Sequence, residues 1–526
     1  MPQNAKLEFR ATKFMTITIV GLGPGDAGLI TRQAWHLLSA SDVVYLRTAR
    51  HPAVNGLPDH LQLHSFDDVY QEAGDFAAVY RRIAAEVLRL GGQGDVIYAV
   101  PGNPYVGETT VTAITRGAAE VGIPVRIVAG LSFVEPTLAA LGIDALDGLQ
   151  VFDAIELAAF LYPPINPDVG VLLGQVYSRP LASELKLALM SIYPAEHPVV
   201  LVHSAGETDQ TIEHLPLYEI DRSERIDHLT SLFVPHLGFK AGLAALADTV
   251  AVLRSPGGCP WDQEQTPQSM RDSFLEEAYE TLSALDTADS DNLREELGDL
   301  LYHIVMQAQM AAEAGDFTLS DVVAGIEAKL KRRHPHVWGD WEVSDTAEVL
   351  RNWEMLKQQE KSDRGESDGF KSRLEGIPAA LPALARSQKI QSKAAGSGFD
   401  WPDVSGVYDK LDEEVAELRA ALTPEERRAE LGDVLFVVVN LARWLAVDAE
   451  GALREANDRF ARRFGQVERL AVERGPDLSA LSFAELDALW ETAKAMVART
   501  GVAGTVTDET DSVDGEATDF SDHTDR

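Results

Sequence analysis

The feature that most limits what this chain can become is a change of texture near Lys240. From Met15 to about Phe233 the runs TITIV, VVYL, VIYAV, VRIVA, VGVLL and VVLVH alternate with helical stretches. Such alternation predicts an α/β domain on a mainly parallel sheet. Beyond Lys240, β-branched runs become rare and segments rich in Ala, Leu, Glu and Arg recur at helical spacing, so an almost wholly helical remainder is expected. A chain of 526 residues is more than one hydrophobic core organises. The polar stretch Lys357 to Gly369 has no apolar face and reads as a linker dividing the helical half. The expected layout is a flexible extension (1–14), an α/β domain (15–238), two all-α domains (239–360 and 375–498) joined by a linker (361–374), and a disordered acidic tail (499–526).

The helical half repeats itself. LEEAYETL followed by LREELGDLLYHIVMQAQMA is echoed by LDEEVAELRAAL followed by RRAELGDVLFVVVNLARWLA, which reads as two copies of one helical unit. In the first copy Glu277 and Glu280 stand three apart, as do Glu296 and Asp299; the second has Glu414 with Glu417 and Glu430 with Asp433. Each pair shares a helix face, where like charges repel. The second pair of each copy runs directly into an apolar stretch, so an offsetting partner is required. Mg²⁺ suits four such oxygen ligands and bridges carboxylates to phosphates. Glu276 or Glu413, one residue earlier, is the candidate general base. Solvated helix faces would explain one such pair, but not the same tetrad twice with the same E-L-G-D.

The net charge of −37 argues against general nucleic-acid binding or attachment to anionic lipid. It leaves open a phosphate substrate that arrives with its metal. No apolar run approaches the roughly 20 residues of a membrane span. The one cysteine, Cys259, cannot form an intrachain disulfide, so a reducing, cytoplasmic setting is expected. Beside Pro and Trp, Cys259 reads as a packed small residue rather than a nucleophile.

At these acids the sequence resembles the MazG family of nucleoside triphosphate pyrophosphohydrolases. The likeness extends through GGCPWDQEQTPQSMRDSFLEEAYE, KLKRRHPHVWGD and RNWEMLKQQEK in the first copy, and through KIQSKAAGSGFDWPDV, NDRFARRFGQVERL and LDALWETAK in the second. It implies cleavage between the α and β phosphates, giving a monophosphate and pyrophosphate, by a dimeric helical bundle. By the same resemblance Lys410, Arg459, Arg463 and Trp490 would contact the nucleotide in the second copy, as would Lys331, Arg332, Arg333, Trp353 and Lys357 in the first. Lys410 lies one turn before its acids, whereas Ser273 holds the matching place in the first copy, which favours the second copy as the working one.

Glycine-bearing loops follow three of the early strands: GLGPGD with Gly21, Gly23, Pro24 and Gly25; VPGNPYVGE with Gly102, Asn103 and Pro104; and AGLSFVEP with Leu131 and Ser132. Open α/β folds bind ligands at that edge. The three loops together resemble the tetrapyrrole methylase family over about residues 15 to 235. This implies that the residues just named line a cleft for S-adenosylmethionine between two α/β halves. Gly-Asn-Pro replaces the family's usual Gly-Asp-Pro, a departure that bears on methyl transfer more than on the fold. The fusion resembles bacterial proteins of the YabN type. Three readings follow: a Mg²⁺-dependent pyrophosphohydrolase of nucleoside triphosphates, a methyltransferase with regulatory helical repeats, and a nucleotide-sensing scaffold without turnover.

Overall fold

The computed structural model describes residues 15–72, 76–363, 372–475 and 478–502, which belong to two compact units, Met1–Leu330 and Lys331–Arg526. The extension at 1–14 and the segment 503–526 lie outside the described residues.

The first unit opens with five strands, β1 (Ile17–Gly21), β2 (Val43–Leu46), β3 (Gln62–Ser65), β4 (Val96–Val100) and β5 (Val125–Val128). They form a parallel sheet in the order β3-β2-β4-β1-β5. Central β1 is buried along its whole length, as a strand covered on both faces must be. Ile17 and Ile19 pack on one side with Val96, Tyr98 and Val100, while Val20 packs on the other with Val44, Leu46 and Ala99, in the two-residue alternation of a pleated strand.

A second sheet contains β6 (Leu149–Asp153), β7 (Gly170–Gly174), β8 (Pro198–His203), β9 (Thr211–Pro216) and β10 (Thr230–Val234), ordered β6-β7-β10-β8-β9. Only β6 and β7 pair in parallel; β10 inserts antiparallel between β7 and β8, and β9 runs antiparallel to β8. The α/β domain therefore has two sheets, the second mixed. Strands β3, β6 and β9 carry no dense β-branched run and are held by their place at sheet edges.

Two residues before β7, a carboxylate fixes the start of the helical part. Asp168 accepts backbone N–H bonds from Ala241 at 2.7 Å and Gly242 at 3.2 Å. Gly242 is the N-cap of helix Leu243–Arg254 and has no side chain with which to cap it. That helix packs through Val250 on Met270, Val305, Met306 and Met310.

The helical expectation holds beyond Lys240, with two boundary corrections. Helix Thr346–Asp363 continues through Lys357 and past 361, because this stretch is rich in helix formers and Arg332 and Arg333 grip Glu360. Residues 364–371 of the expected linker lie outside the described residues. Helix Phe483–Val502 likewise runs past 499, since Ala-Lys-Ala-Met-Val-Ala-Arg continues its helical text. Among the described residues, no helix is long and apolar enough to cross a membrane.

Candidate functional site

Each copy presents its acids on an antiparallel helix pair with a short turn. In the first, helix Arg271–Thr287 ends at Ala288, which takes a left-handed φ of 54°, and Asp289 caps helix Ser290–Ala314 by accepting from Asn292 N–H at 3.1 Å. In the second, helix Val404–Ala420 is followed by a capping box: Thr423 Oγ1 accepts from Glu426 N–H at 3.2 Å, and Glu426 accepts from Thr423 N–H at 3.1 Å. Pro424 occupies the first turn, where its missing N–H costs nothing.

The turns bring the acids together. Carboxylate oxygens of Glu277, Glu280 and Glu296 lie within 4.8 Å of one another, as do those of Glu414, Glu417 and Glu430. Asp299 and Asp433 complete the field. Burial, then Asp299, Glu280 and Glu296, raises the Glu277 carboxyl above the ordinary carboxylate range. Burial and then Glu280 and Asp299 raise Glu296. Burial followed by Glu417, Glu414 and Asp433 raises Glu430, against an opposing pull from Lys410. These are mutually repelling oxygens without enough cation among them, which is the donor set that a divalent ion fits.

The copies differ in one counterion. Lys410 Nζ lies 2.8 Å from Glu414 and 3.0 Å from Glu413, so Glu413 is tied to a lysine while Glu276 is exposed. Ser273, at the matching place, donates to the Met270 carbonyl at 3.2 Å and brings no charge.

The other expected nucleotide contacts are placed as follows. The Trp490 ring lies tilted against Phe460 with centroids 5.2 Å apart, and Arg459 lies 3.5 Å from Glu455. The Arg463 Nε is buried without a hydrogen-bond partner. These three residues occupy the neighbouring helices Ala449–Arg474 and Phe483–Val502. In the second unit, Arg333 and Lys357 sit over the Trp353 ring at 5.3 and 5.1 Å. Arg332 and Arg333 both bind Glu360, at 2.8 and 2.6 Å, and bonds first from Arg333 and then from Arg332 pull its carboxyl down to about 2. Lys331 belongs to the same basic turn. Glu360 was hidden in the sequence inside a run of helix-forming charges. Cys259 is half-buried, at the start of helix Pro260–Glu264.

In the α/β domain the three glycine loops meet. Gly23 and Gly102 exchange backbone bonds of 3.3 and 2.7 Å, Asn103 Nδ2 donates to the Gly130 carbonyl at 2.8 Å, and Ser132 binds Glu135 through N–H and Oγ. A Cβ on Gly21 would lie 2.5 Å from the Gly102 carbonyl and 2.6 Å from Gly130 N. Above them opens a cavity of about 910 Å³ whose wall includes Pro24 and Gly102. Gly25 has another role, since a Cβ there would lie 1.9 Å from the Glu207 carboxylate. Pro104 is buried and Leu131 half-buried.

Sequence reasoning missed the polar heart of this cavity. Arg47 makes a buried ion pair with Glu108 and donates Nε–H to the Tyr70 hydroxyl at 2.9 Å. Burial pushes Glu108 up against the pull of Arg47. The pair bridges 61 positions of sequence, so no local spacing announces it.

The comparisons agree with this architecture. The tetrapyrrole (corrin/porphyrin) methylase family matches residues 16–221, and the MazG nucleotide pyrophosphohydrolase domain matches residues 265–338, within the first copy. A nucleoside triphosphate pyrophosphohydrolase of Escherichia coli strain K12 is 44% identical over 248 residues, which cover 46% of this chain and 93% of that protein. The Thermotoga maritima enzyme named nucleoside triphosphate pyrophosphohydrolase/pyrophosphatase MazG is 43% identical over 249 residues, covering 47% and 94%. The uncharacterized protein YabN of Bacillus subtilis strain 168 is 39% identical over 487 residues, covering 91% of this chain and 98% of YabN. With a methylase-like α/β domain followed by a helical region that carries a MazG domain in one polypeptide, the chain belongs to the YabN family.

Proposed function

We propose that the helical half hydrolyses nucleoside triphosphates between the α and β phosphates, releasing a monophosphate and pyrophosphate. The observation that carries this reading is the convergence of three carboxylates within 4.8 Å on equivalent helix pairs of both copies. Glu277, Glu280, Glu296 and Asp299, and their counterparts Glu414, Glu417, Glu430 and Asp433, would hold Mg²⁺. Bound there, the ion would supply positive charge for the triphosphate and lower the pKa of an attacking water. Glu276 and Glu413 stand beside the ligands as the groups to accept the water's proton. Lys410, Arg459 and Arg463 in the second copy, and the Arg332, Arg333 and Lys357 cluster around Trp353 in the first, are the cations and rings for phosphate and base. Exposed apolar side chains along the acid helices, among them Leu275, Leu297, Leu301 and Leu435, support a homodimer. Incubating the full-length protein with each NTP and dNTP plus Mg²⁺ tests the reaction. Monophosphate and pyrophosphate in equal amounts are expected; nucleoside diphosphate with orthophosphate, and no pyrophosphate, would overturn it.

A second activity, S-adenosylmethionine-dependent methylation by the α/β domain, draws on the cavity beside the glycine loops. Calorimetric titration of the full-length protein with S-adenosylhomocysteine checks it, and no heat of binding would remove it.

Metal and protons compete for the same oxygens. Folding lifts the Glu277, Glu296 and Glu430 carboxyls above their unfolded values. Without metal the fold is therefore penalised once pH exceeds the unfolded carboxyl range, near 4.3, and is relieved as pH falls through the raised folded values. The gain in thermal midpoint on replacing EDTA by Mg²⁺ should grow as pH rises from the ordinary carboxyl range, about 4.3, through the raised range of these acids. A gain independent of pH would contradict metal binding by these acids.

Lys410 supplies a further prediction. With the first tetrad silenced by Glu296→Gln, Lys410→Met should tighten Mn²⁺ binding several-fold by freeing Glu414, yet lower turnover by roughly ten- to a hundredfold through loss of a phosphate contact. Calorimetry and single-turnover kinetics read the two effects separately. Weaker Mn²⁺ binding in this variant would show that the lysine organises the acids rather than competing for them.

A further inference from the structure

The wall of the cavity in the α/β domain carries more carboxylates than arginines. Its wall contains the rings of Tyr70, Tyr80, Tyr105, Phe133, Phe152 and Tyr177. The arginines on that wall are Arg47 and Arg50. Arg47 is already committed to Glu108, whose side chain is 3% exposed. Arg50 is exposed and faces Asp67. His51 is 6% exposed, and burial, followed by the nearby His228, drives it down to about 4, so it is neutral at pH 7.

Two carboxylates on the same wall lack a cation. Asp153 accepts from the Gln175 amide at 2.6 Å and from Ile155 N–H at 2.8 Å, and the charge that acts on it is that of Glu156. Among the described residues the buried Oε1 of Glu207 has no hydrogen-bond partner; the carboxylate takes a backbone bond from Asp26, and its charged neighbours are Asp26 and Asp209. A ligand rich in carboxylates would bring further negative charge to a wall whose main arginine is spent, and burying unpaired charge is costly. Aromatic rings combined with carboxylates that have no cationic partner are instead the chemistry that holds an organic cation.

We propose that this cavity, beyond any S-adenosylmethionine it binds, takes an amine-bearing organic cation as its second ligand and rejects polycarboxylates, tetrapyrroles included. Glu207 and Asp153 are the anionic contacts, and the tyrosines are the faces against which the cation lies. Discrimination resides in the wall itself, because the Arg47–Glu108 pair removes the cation that a carboxylate would seek.

The test uses three probes on the full-length protein, each with and without saturating S-adenosylhomocysteine: p-aminobenzamidine as an aromatic cation, 4-aminobenzamide as its neutral analogue, and uroporphyrin as a polycarboxylate. Fluorescence titration should show p-aminobenzamidine binding at least tenfold more tightly than 4-aminobenzamide, with no saturable uroporphyrin binding. The double variant Glu207→Gln with Asp153→Asn should erase the advantage of the cation, which separates the cavity from diffuse attraction by a chain of net charge −37. Saturable uroporphyrin binding, equal affinity for cation and neutral analogue, or an advantage unchanged in the double variant would each overturn the proposal. The wild-type comparison stands if the variant fails to fold. Failure of S-adenosylhomocysteine to bind would remove methyl transfer and leave the probe ranking readable.

Discussion

Replacing Glu296 and Glu430 together by Gln is expected to reduce nucleoside triphosphate hydrolysis by at least a thousandfold while raising the thermal midpoint of the metal-free protein. Each residue joins a cluster of carboxylates within 4.8 Å, and each is held above its ordinary range by burial and by its neighbours. An amide of the same shape removes that repulsion, so the metal-free fold gains stability. The same change takes one anionic ligand from each tetrad. A thousandfold is about 4 kcal/mol in the barrier, within the several kcal/mol that metal-assisted charge stabilisation provides. Both sites are altered because either copy alone could sustain turnover. Melting curves in EDTA and a pyrophosphate-release assay read the two effects. If activity fell while metal-free stability also fell, the acids would be serving the fold and not the chemistry.

Gly21→Ala is expected to destabilise the α/β domain by about 3 kcal/mol, the upper end of what overpacking costs, and to abolish ligand binding in its cavity. The added methyl would meet the Gly102 carbonyl at 2.5 Å and Gly130 at 2.6 and 2.8 Å. These obstacles are backbone atoms of two neighbouring loops, so relief requires the loops to separate. Gly94→Ala is the control, since nothing lies within 4 Å of its added Cβ. Urea unfolding followed by tyrosine fluorescence of the α/β domain should show an early transition for Gly21→Ala alone, with hydrolysis by the helical half retained. Equal stability of the two variants would mean that the loop junction is slacker than its contacts imply.

What could be read beforehand was governed by sequence distance. The convergence of Glu277, Glu280 and Glu296, and of Glu414, Glu417 and Glu430, was legible because a helix turns i, i+3 spacing directly into a shared face, and because the same spacing appears twice. The glycine loops were legible because β1, β4 and β5 each end in one, and β1 lies between the other two. The place of β10 between β7 and β8 could not be read, since pairing order is settled by long-range packing and not by the text of a strand. Arg47 and Glu108 stayed hidden for the same reason. Lys357 to Asp363 looked like a linker because the stretch lacks an apolar face, but Glu360 anchors it through two arginines, an electrostatic tie that hydrophobic periodicity does not register.

Asp168 bears on how freely the two halves could be exchanged during evolution or in the laboratory. Its carboxylate holds the amides of Ala241 and Gly242, so a fragment excised at 239 would leave its opening helical turn behind without an acceptor. Transplanting the repeats onto another scaffold would require a substitute anion at that spot, which makes the fusion less modular than its sequence texture suggests.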